Sequence, residues 1–241
     1  SGELDALVPE RVWKETERAL GEPRPEAFFE TLRECGALAV IFPEIHALYG
    51  VPQPPKWHPE IDTGVHVMMA LRLASRITDS KVVRFAVLMH DLGKARTPAE
   101  KLPSHPGHEG ASVPLIEALV ARLKVPNDYR EVALITARHH GNVHRAFELR
   151  PATVLKLLEE TDAFRRPERF AQFLLACESD ARGRKGLEER PYPQADYLRR
   201  AREAAAAATV GEAERAGLSG PAIGEKLHAK RLKVLTEMKN A

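Results

Sequence analysis

His66, the dipeptide His90–Asp91, His108, His140 (with His139 beside it) and Asp180 are residue types that hold divalent cations. Neutral imidazole and carboxylate together suit Mn, Fe, Ni, Zn or Mg, and the lack of cysteine among them argues against a purely structural zinc site. A carboxylate such as Asp91 can bridge two ions about 3.5–4 Å apart. Such a pair clamps a phosphoryl group and lowers the pKa of water so that it attacks at neutral pH. Taken alone, Val87-Leu-Met-His-Asp-Leu-Gly93-Lys94 also fits a plainer reading. A histidine at a helix C-terminus complements the dipole, and a glycine follows as C′. The ten histidines are a high number and concentrate between His46 and His144. Spacing does not decide between His139 and His140, and Asp162 is the alternative distal carboxylate, 22 residues past His140.

Positioning these residues falls to helices. Sustained period-2 alternation is missing, and most apolar runs follow i, i+3, i+4, so the expected fold class is all-α. Helices are expected from Pro9 to Leu20, Pro25 to Cys35 and, shorter, Ile41 to Tyr49. The proline-rich loop Val51-Pro-Gln-Pro-Pro-Lys-Trp-His-Pro then marks a boundary. Asp62 or Thr63 caps a helix to Ile77 that carries His66, and Ser80 caps the one that delivers His90 and Asp91. Lys94 to Pro106 reads as a polar loop. A helix from Gly107–His108 to Leu123 follows, with Pro114 tolerable only in its first turn. Asn127 caps a helix ending at His139-His-Gly141. Pro151 to Ala163, Pro167 to Ala181, Gln194 to Ala208 and Pro221 to Lys239 complete the set, with a second boundary at Arg182 to Pro193. Each candidate ligand falls near a terminus or first turn of successive helices, an arrangement that a helical core can converge on one pocket.

Composition narrows the remaining classes. With 44% hydrophobic and 29% charged residues, the 241-residue chain can bury a sizeable core. A net charge of +2 is too mild to imply nucleic-acid binding by itself. Cys35 and Cys177 are far apart and suggest no disulfide, which fits a reducing cytoplasm. The start Ser1-Gly-Glu-Leu-Asp resembles no signal peptide, and no run approaches the roughly 18 apolar residues of a membrane span. Lys226, Lys230, Arg231, Lys233 and Lys239 stand against Glu225 and Glu237 near the end, a pattern better read as a solvated face than as a phosphate-binding one.

The order His66…His90-Asp91…His108…His140…Asp180, with His-Asp-Leu-Gly-Lys, resembles the HD superfamily of metal-dependent phosphohydrolases. Phe42-Pro-Glu-Ile, Lys56-Trp-His-Pro-Glu-Ile-Asp-Thr-Gly64, Gly107-His-Glu, Arg122-Leu-Lys-Val-Pro-Asn127 and Ser179-Asp-Ala-Arg-Gly-Arg184 narrow the likeness to the C-terminal half of bacterial CCA-adding enzymes. Glu10-Arg-Val-Trp-Lys-Glu-Thr-Glu-Arg-Ala-Leu20 is similar to that family's neck-to-body segment. The resemblance implies an HD-domain helical bundle over 51–183, neck and body helices over 1–50 and a helical tail over 184–241. It implies that His66, His90, Asp91 and Asp180 bind one metal and that His108 and His140 complete a second site through Asp91. Catalysis would rest on Asp91 and Lys94, with Lys94 contacting a substrate phosphate. The family pattern favours His140 over His139, and the Ser-Asp-Ala-Arg-Gly context favours Asp180 over Asp162.

The implied activities are 2′,3′-cyclic phosphodiesterase, 2′-nucleotidase and phosphatase, with Ni²⁺, Mg²⁺ or Mn²⁺, on tRNA or RNA 3′ ends and small phosphate esters. The implied setting is the cytoplasm, as monomer or homodimer, beside a nucleotidyltransferase head of the same parent chain. The first 50 residues carry neither a Gly-rich phosphate loop nor an Asp-x-Asp pair, so the chain reads as a fragment that begins inside the body and does not transfer CMP or AMP. A second reading is a tRNA-binding body and tail with a weak metal site, motivated by the basic last helix and by Arg182, Arg184 and Lys185. A third is a free-standing nucleotide hydrolase, against which the body-like start counts. Of the other candidates, His58 supports the ligands or fixes its loop, His105 is a loop residue, and His144 reaches the pocket or the surface. His46 and His228 are structural or exposed, and Trp13 and Trp57 are expected to pack rather than to stack on bases.

Overall fold

The computed structural model describes residues 7–240. Ser1 to Asp5, read above for a leader, lie outside them. In chain order the helices are α1 (Pro9–Gly21), α2 (Pro25–Glu34), α3 (Leu38–Ile41), α4 (Pro43–His46), α5 (Thr63–Ile77), α6 (Lys81–Met89), α7 (His108–Leu123) and α8 (Asn127–His144). They continue with α9 (Pro151–Glu160), α10 (Pro167–Arg182), α11 (Pro193–Ala206), α12 (Glu212–Arg215) and α13 (Gly220–Asn240). The fold is all-α, and the described residues contain no strand beyond one isolated antiparallel bridge, Pro52 to Asp62. Several helices open on proline, whose missing N–H would be unbonded in a first turn anyway. Others are capped as expected: Asp62 accepts from Val65 N at 2.9 Å, and Ser80 from Val83 N at 3.3 Å.

Two compact units form, each from discontinuous chain: 1–140 with 172–192, and 141–171 with 193–241. In the first, α6 is buried on every side from Val83 to Met89, as a central helix must be. Trp13 packs edge-to-face on Phe85 at 5.5 Å and on Tyr129 at 4.8 Å, tying α1 to α6 and α8. Within this apolar surround Arg84 is only 2% exposed. Its guanidinium donates to the carbonyls of Leu20 (2.7 Å), Glu22, Ser75 and Thr78, which clamps the end of α1 to the α5–α6 turn. A buried charge satisfied in this way is a strut; unsatisfied, it would be costly. In the second unit Val154, Leu155 and Leu158 of α9, Leu198 and Ala201 of α11 and Leu235 of α13 are buried. The basic face of α13 is spent locally: Lys226 and Lys230 on Glu214, Lys233 on Glu237, Arg231 over the Phe164 ring at 3.8 Å.

Several local expectations are corrected. The segment expected as one helix from Ile41 to Tyr49 is two short ones, because Phe42 precedes Pro43 and is driven out of the α region (φ −130°, ψ 61°). Pro114 is the seventh residue of α7, well past its first turn. It is exposed, as is Gly110, whose carbonyl it leaves unbonded, so water can serve that carbonyl. Helix α8 runs through Gly141 to His144, with fully buried Val143 on the added turn. The 94–106 loop contains two 3-10 turns, Leu92–Arg96 and Ala99–Lys101. Trp13 is the core residue expected, whereas Trp57 is 58% exposed.

Candidate metal centre

Each imidazole of the cluster is oriented from behind. His90 Nδ1 lies 2.7 Å from Val87 O, His108 Nδ1 2.8 Å from His105 O, and His140 Nδ1 3.0 Å from Thr136 O. A carbonyl can only accept, so each Nδ1 carries a proton and each ring turns its Nε2 forward. His66 Nδ1 lies 2.9 Å from Glu60 Oε1 without hydrogen-bond alignment, and Nδ1 has no other hydrogen-bond partner. The four Nε2 atoms converge on two carboxylates. His66 Nε2 is 3.0 Å from Asp180 Oδ1, and His90 Nε2 is 3.1 Å from Asp91 Oδ2 and 3.7 Å from Asp180 Oδ2. His108 and His140 Nε2 are 3.4 and 3.7 Å from Asp91 Oδ1 and 3.3 Å from each other.

This donor set fits a divalent cation. His90 Nε2 and Asp91 Oδ1 are buried and have no hydrogen-bond partner. Ligand atoms of His66, His90 and Asp91 lie within 4.8 Å of one another, as do those of Asp91, His108 and His140. Asp91 belongs to both sets, in the position of a bridge. Three carboxylates, Asp91, Asp180 and Glu60, stand against two side-chain cations, Lys94 and Arg184, in the pocket. Burial pulls against any charge on His90, yet Asp91 and Asp180 outweigh it and push its pKa up. Burial likewise opposes ionised Asp91, but His90 and Lys94 hold it well below the usual carboxylate range. His108, partly exposed, lies on the more open side.

Packing explains how distant residues meet. Asp91 follows the buried α6, and the 3-10 turn after it lies hard against α7. A Cβ on Gly93 would come within 2.1 Å of His108 O and 2.6 Å of Ser112 N. The Gly93 N–H donates to Ser112 Oγ at 2.8 Å. On the other side, a Cβ on Gly183 would come within 2.3 Å of Ala70 Cα, so the end of α10 presses on α5 and brings Asp180 to His66.

All the expected ligands, His66, His90, Asp91, His108, His140 and Asp180, are thus brought together, with His140 of the histidine pair facing the cluster. Lys94 is beside them, but its Nζ is held by Asp91 Oδ2 at 2.6 Å and Gln53 Oε1 at 2.5 Å. Asp162 lies in the second unit, paired with Arg165 at 2.6 Å. His105 is held by Thr97 Oγ1 and Pro52 O, and exposed His228 lies 2.9 Å from Glu159. His58 is buried, 3.2 Å from Glu60 Oε1, and burial pushes its pKa down to about 4.

Gln53 and Glu60 escaped the sequence reading. Gln53 is fully buried, and with Oε1 turned to Lys94 its Nε2 is left without a hydrogen-bond partner. Nothing in the proline-rich loop singled it out. Glu60 could have been suspected from standing beside His58 and Pro59.

A family model described as the HD domain matches residues 64–191. The chain belongs to the HD domain family. A second model, described as a probable RNA and SrmB-binding site of polymerase A, matches residues 1–49. The chain is 62% identical over 239 residues to the multifunctional CCA protein of Thioalkalivibrio sulfidiphilus, covering 99% of this chain and 58% of that one. It is 57% identical over 237 residues to the multifunctional CCA protein of Nitrosococcus oceani, covering 98% and 58%. It is therefore closely related to these enzymes and spans somewhat over half their length. The HD match contains the whole His/Asp cluster, which makes this an HD phosphohydrolase domain with a candidate divalent-metal site.

Proposed function

We propose that this chain hydrolyses phosphate esters at RNA 3′ ends, as a 2′,3′-cyclic phosphodiesterase, 2′-nucleotidase and phosphatase. The observation that carries the reading is the convergence of the Nε2 atoms of His66, His90, His108 and His140 on Asp91 and Asp180 in a buried pocket. His66, His90, Asp91 and Asp180 would hold one cation, and His108 and His140 a second through Asp91. Ni²⁺, Mg²⁺ and Mn²⁺ are the candidates, with nickel favoured by the imidazole-rich set. A divalent ion bound there supplies Lewis-acid polarisation of a phosphoryl group and a lowered pKa for water. Lys94 has three N–H donors, two of which serve Asp91 and Gln53, so one is left for a substrate phosphate oxygen. Gln53 Nε2 is a further buried donor beside it.

RNA or tRNA is the partner suggested by the match over 1–49 and by the names of the relatives. The division proposed is body helices over 1–50, hydrolase over 51–183 and tail over 184–241. In a longer parent the module would work in the cytoplasm beside a nucleotidyltransferase head, as monomer or homodimer. Among the described residues, no helix is long and apolar enough to cross a membrane. Phosphate release from 2′,3′-cyclic AMP, 2′-AMP and p-nitrophenyl phosphate with Ni²⁺, Mn²⁺ and Mg²⁺ tests the reading. Wild type equal to Asp91→Ala with every metal overturns it.

A further inference from the structure

Trp57 stands on the loop that brings His58 and Glu60 to His66. It is 58% exposed, and it lies before residue 64, where the HD match begins. A ring left in water forfeits the gain of burial.

The ring stands on an ordered support. Trp57 N donates to Pro54 O at 3.0 Å, as does His58 N, and prolines at 52, 54, 55 and 59 stiffen the loop. Arg184 Nη1 donates to the Trp57 carbonyl at 3.3 Å, while Nη2 of the same guanidinium reaches Asp180 Oδ1 at 3.3 Å. The next residue, His58, sets its ring 4.7 Å from that of His66. Arg184 therefore ties the Trp57 backbone to Asp180, and His58 brings the same loop against His66. Lys56 Nζ stands 4.8 Å from the indole centroid, so a cation accompanies the exposed π face.

We propose that Trp57 is a base-stacking subsite, taking the purine or pyrimidine of a nucleoside phosphate whose phosphate lies at Asp91 and Lys94. This rests on the phosphohydrolase reading and specifies its substrate class. An exposed indole stacks on any base, since every base has a π face, and a rigid support limits the ordering cost of binding. A basic residue beside the ring suits a polyanionic ligand.

The test compares wild type, Trp57→Ala and Trp57→Phe on 2′,3′-cyclic AMP and on base-free glycerol 2-phosphate, with Ni²⁺ or Mn²⁺. Trp57→Ala should lower the kcat/KM preference for the nucleotide about ten- to a hundredfold, mainly through KM, and Trp57→Phe should restore most of it. Independently of turnover, 2′-AMP should quench Trp57 emission in wild type and not the remaining Trp13 emission in Trp57→Ala. An equal fall on both esters, or no quenching in wild type, overturns the proposal. If wild type hydrolyses neither ester with any metal, the phosphohydrolase reading fails, and the quenching experiment still decides whether the ring binds a base.

Discussion

The two oxygens of Asp91 face different neighbours: Oδ2 takes the Lys94 ammonium and lies near His90, and Oδ1 lies near His108 and His140. Asp91→Asn keeps the size and removes the charge that two cations would share. Isothermal titration should show metal binding weakened by more than about a hundredfold, with phosphate release falling in parallel. Glu60 acts one step behind. Its Oε1 lies 2.9 Å from His66 Nδ1 and 3.2 Å from His58 Nδ1, so it places a negative charge behind the His66 ring. In Glu60→Gln the negative charge behind His66 is lost, and metal affinity should drop roughly ten- to a hundredfold. Competition with a fluorescent chelator measures it, and an unchanged affinity would remove Glu60 from the centre. The candidate ligands were legible in the sequence because imidazole and carboxylate at helix ends are a chemical signature. Gln53 and Arg84 were not, because an amide or guanidinium has no distinctive role until its buried neighbours are known.

Among the elements, α6 matters most, since it is buried all round and ends at His90. Two contacts hold it in register. Gly93 allows the following 3-10 turn to lie on α7, and the atoms a methyl would strike are backbone ones that cannot rotate away. Gly93→Ala should destabilise by about 3 kcal/mol, read as a lower urea midpoint, and should weaken metal binding because His90 and His108 are displaced together. Arg84→Ala would leave the carbonyls of Leu20, Glu22 and Thr78 short of donors, with an expected loss of about 3 kcal/mol or more. Thermal unfolding checks it. Element existence followed from periodicity and caps. The splitting near Pro43 and the continuation through Gly141 did not, because one residue's local bias competes with burial of Phe42 and Val143.

At the scale of the whole molecule, a pocket of clustered lone pairs and carboxylates links stability to pH and metal. His58 has its pKa lowered from the ordinary 6.5 to about 4 by burial, so the unfolded chain binds its proton more readily than the native one. Its contribution is complete above about pH 6.5 and is lost as pH falls towards 4. His90, whose pKa is raised, works in the opposite sense, and its contribution fades as pH rises above 6.5. In metal-free protein the urea midpoint should therefore fall between pH 6.5 and 4, and His58→Gln should flatten that slope. A slope unaltered by the substitution would refute this assignment. A bound cation adds stability by mass action, about 2.7 kcal/mol at a hundredfold excess over Kd. Ni²⁺ should raise Tm in wild type and not in Asp91→Asn.

By itself the sequence determined the helical class, the Asp62 and Ser80 caps and the residue types of the candidate ligands, since each follows from local periodicity or from the chemistry of single residue types. Only the tertiary structure decided which histidine of the pair at 139–140 faces Asp91, that Asp180 meets His66 while Asp162 pairs with arginines, that Lys94 leans on Gln53, and that Trp57 stands in water. Most of these depend on which distant segments are pressed together. That is a matter of close packing at glycines such as 93 and 183, and no local pattern encodes it.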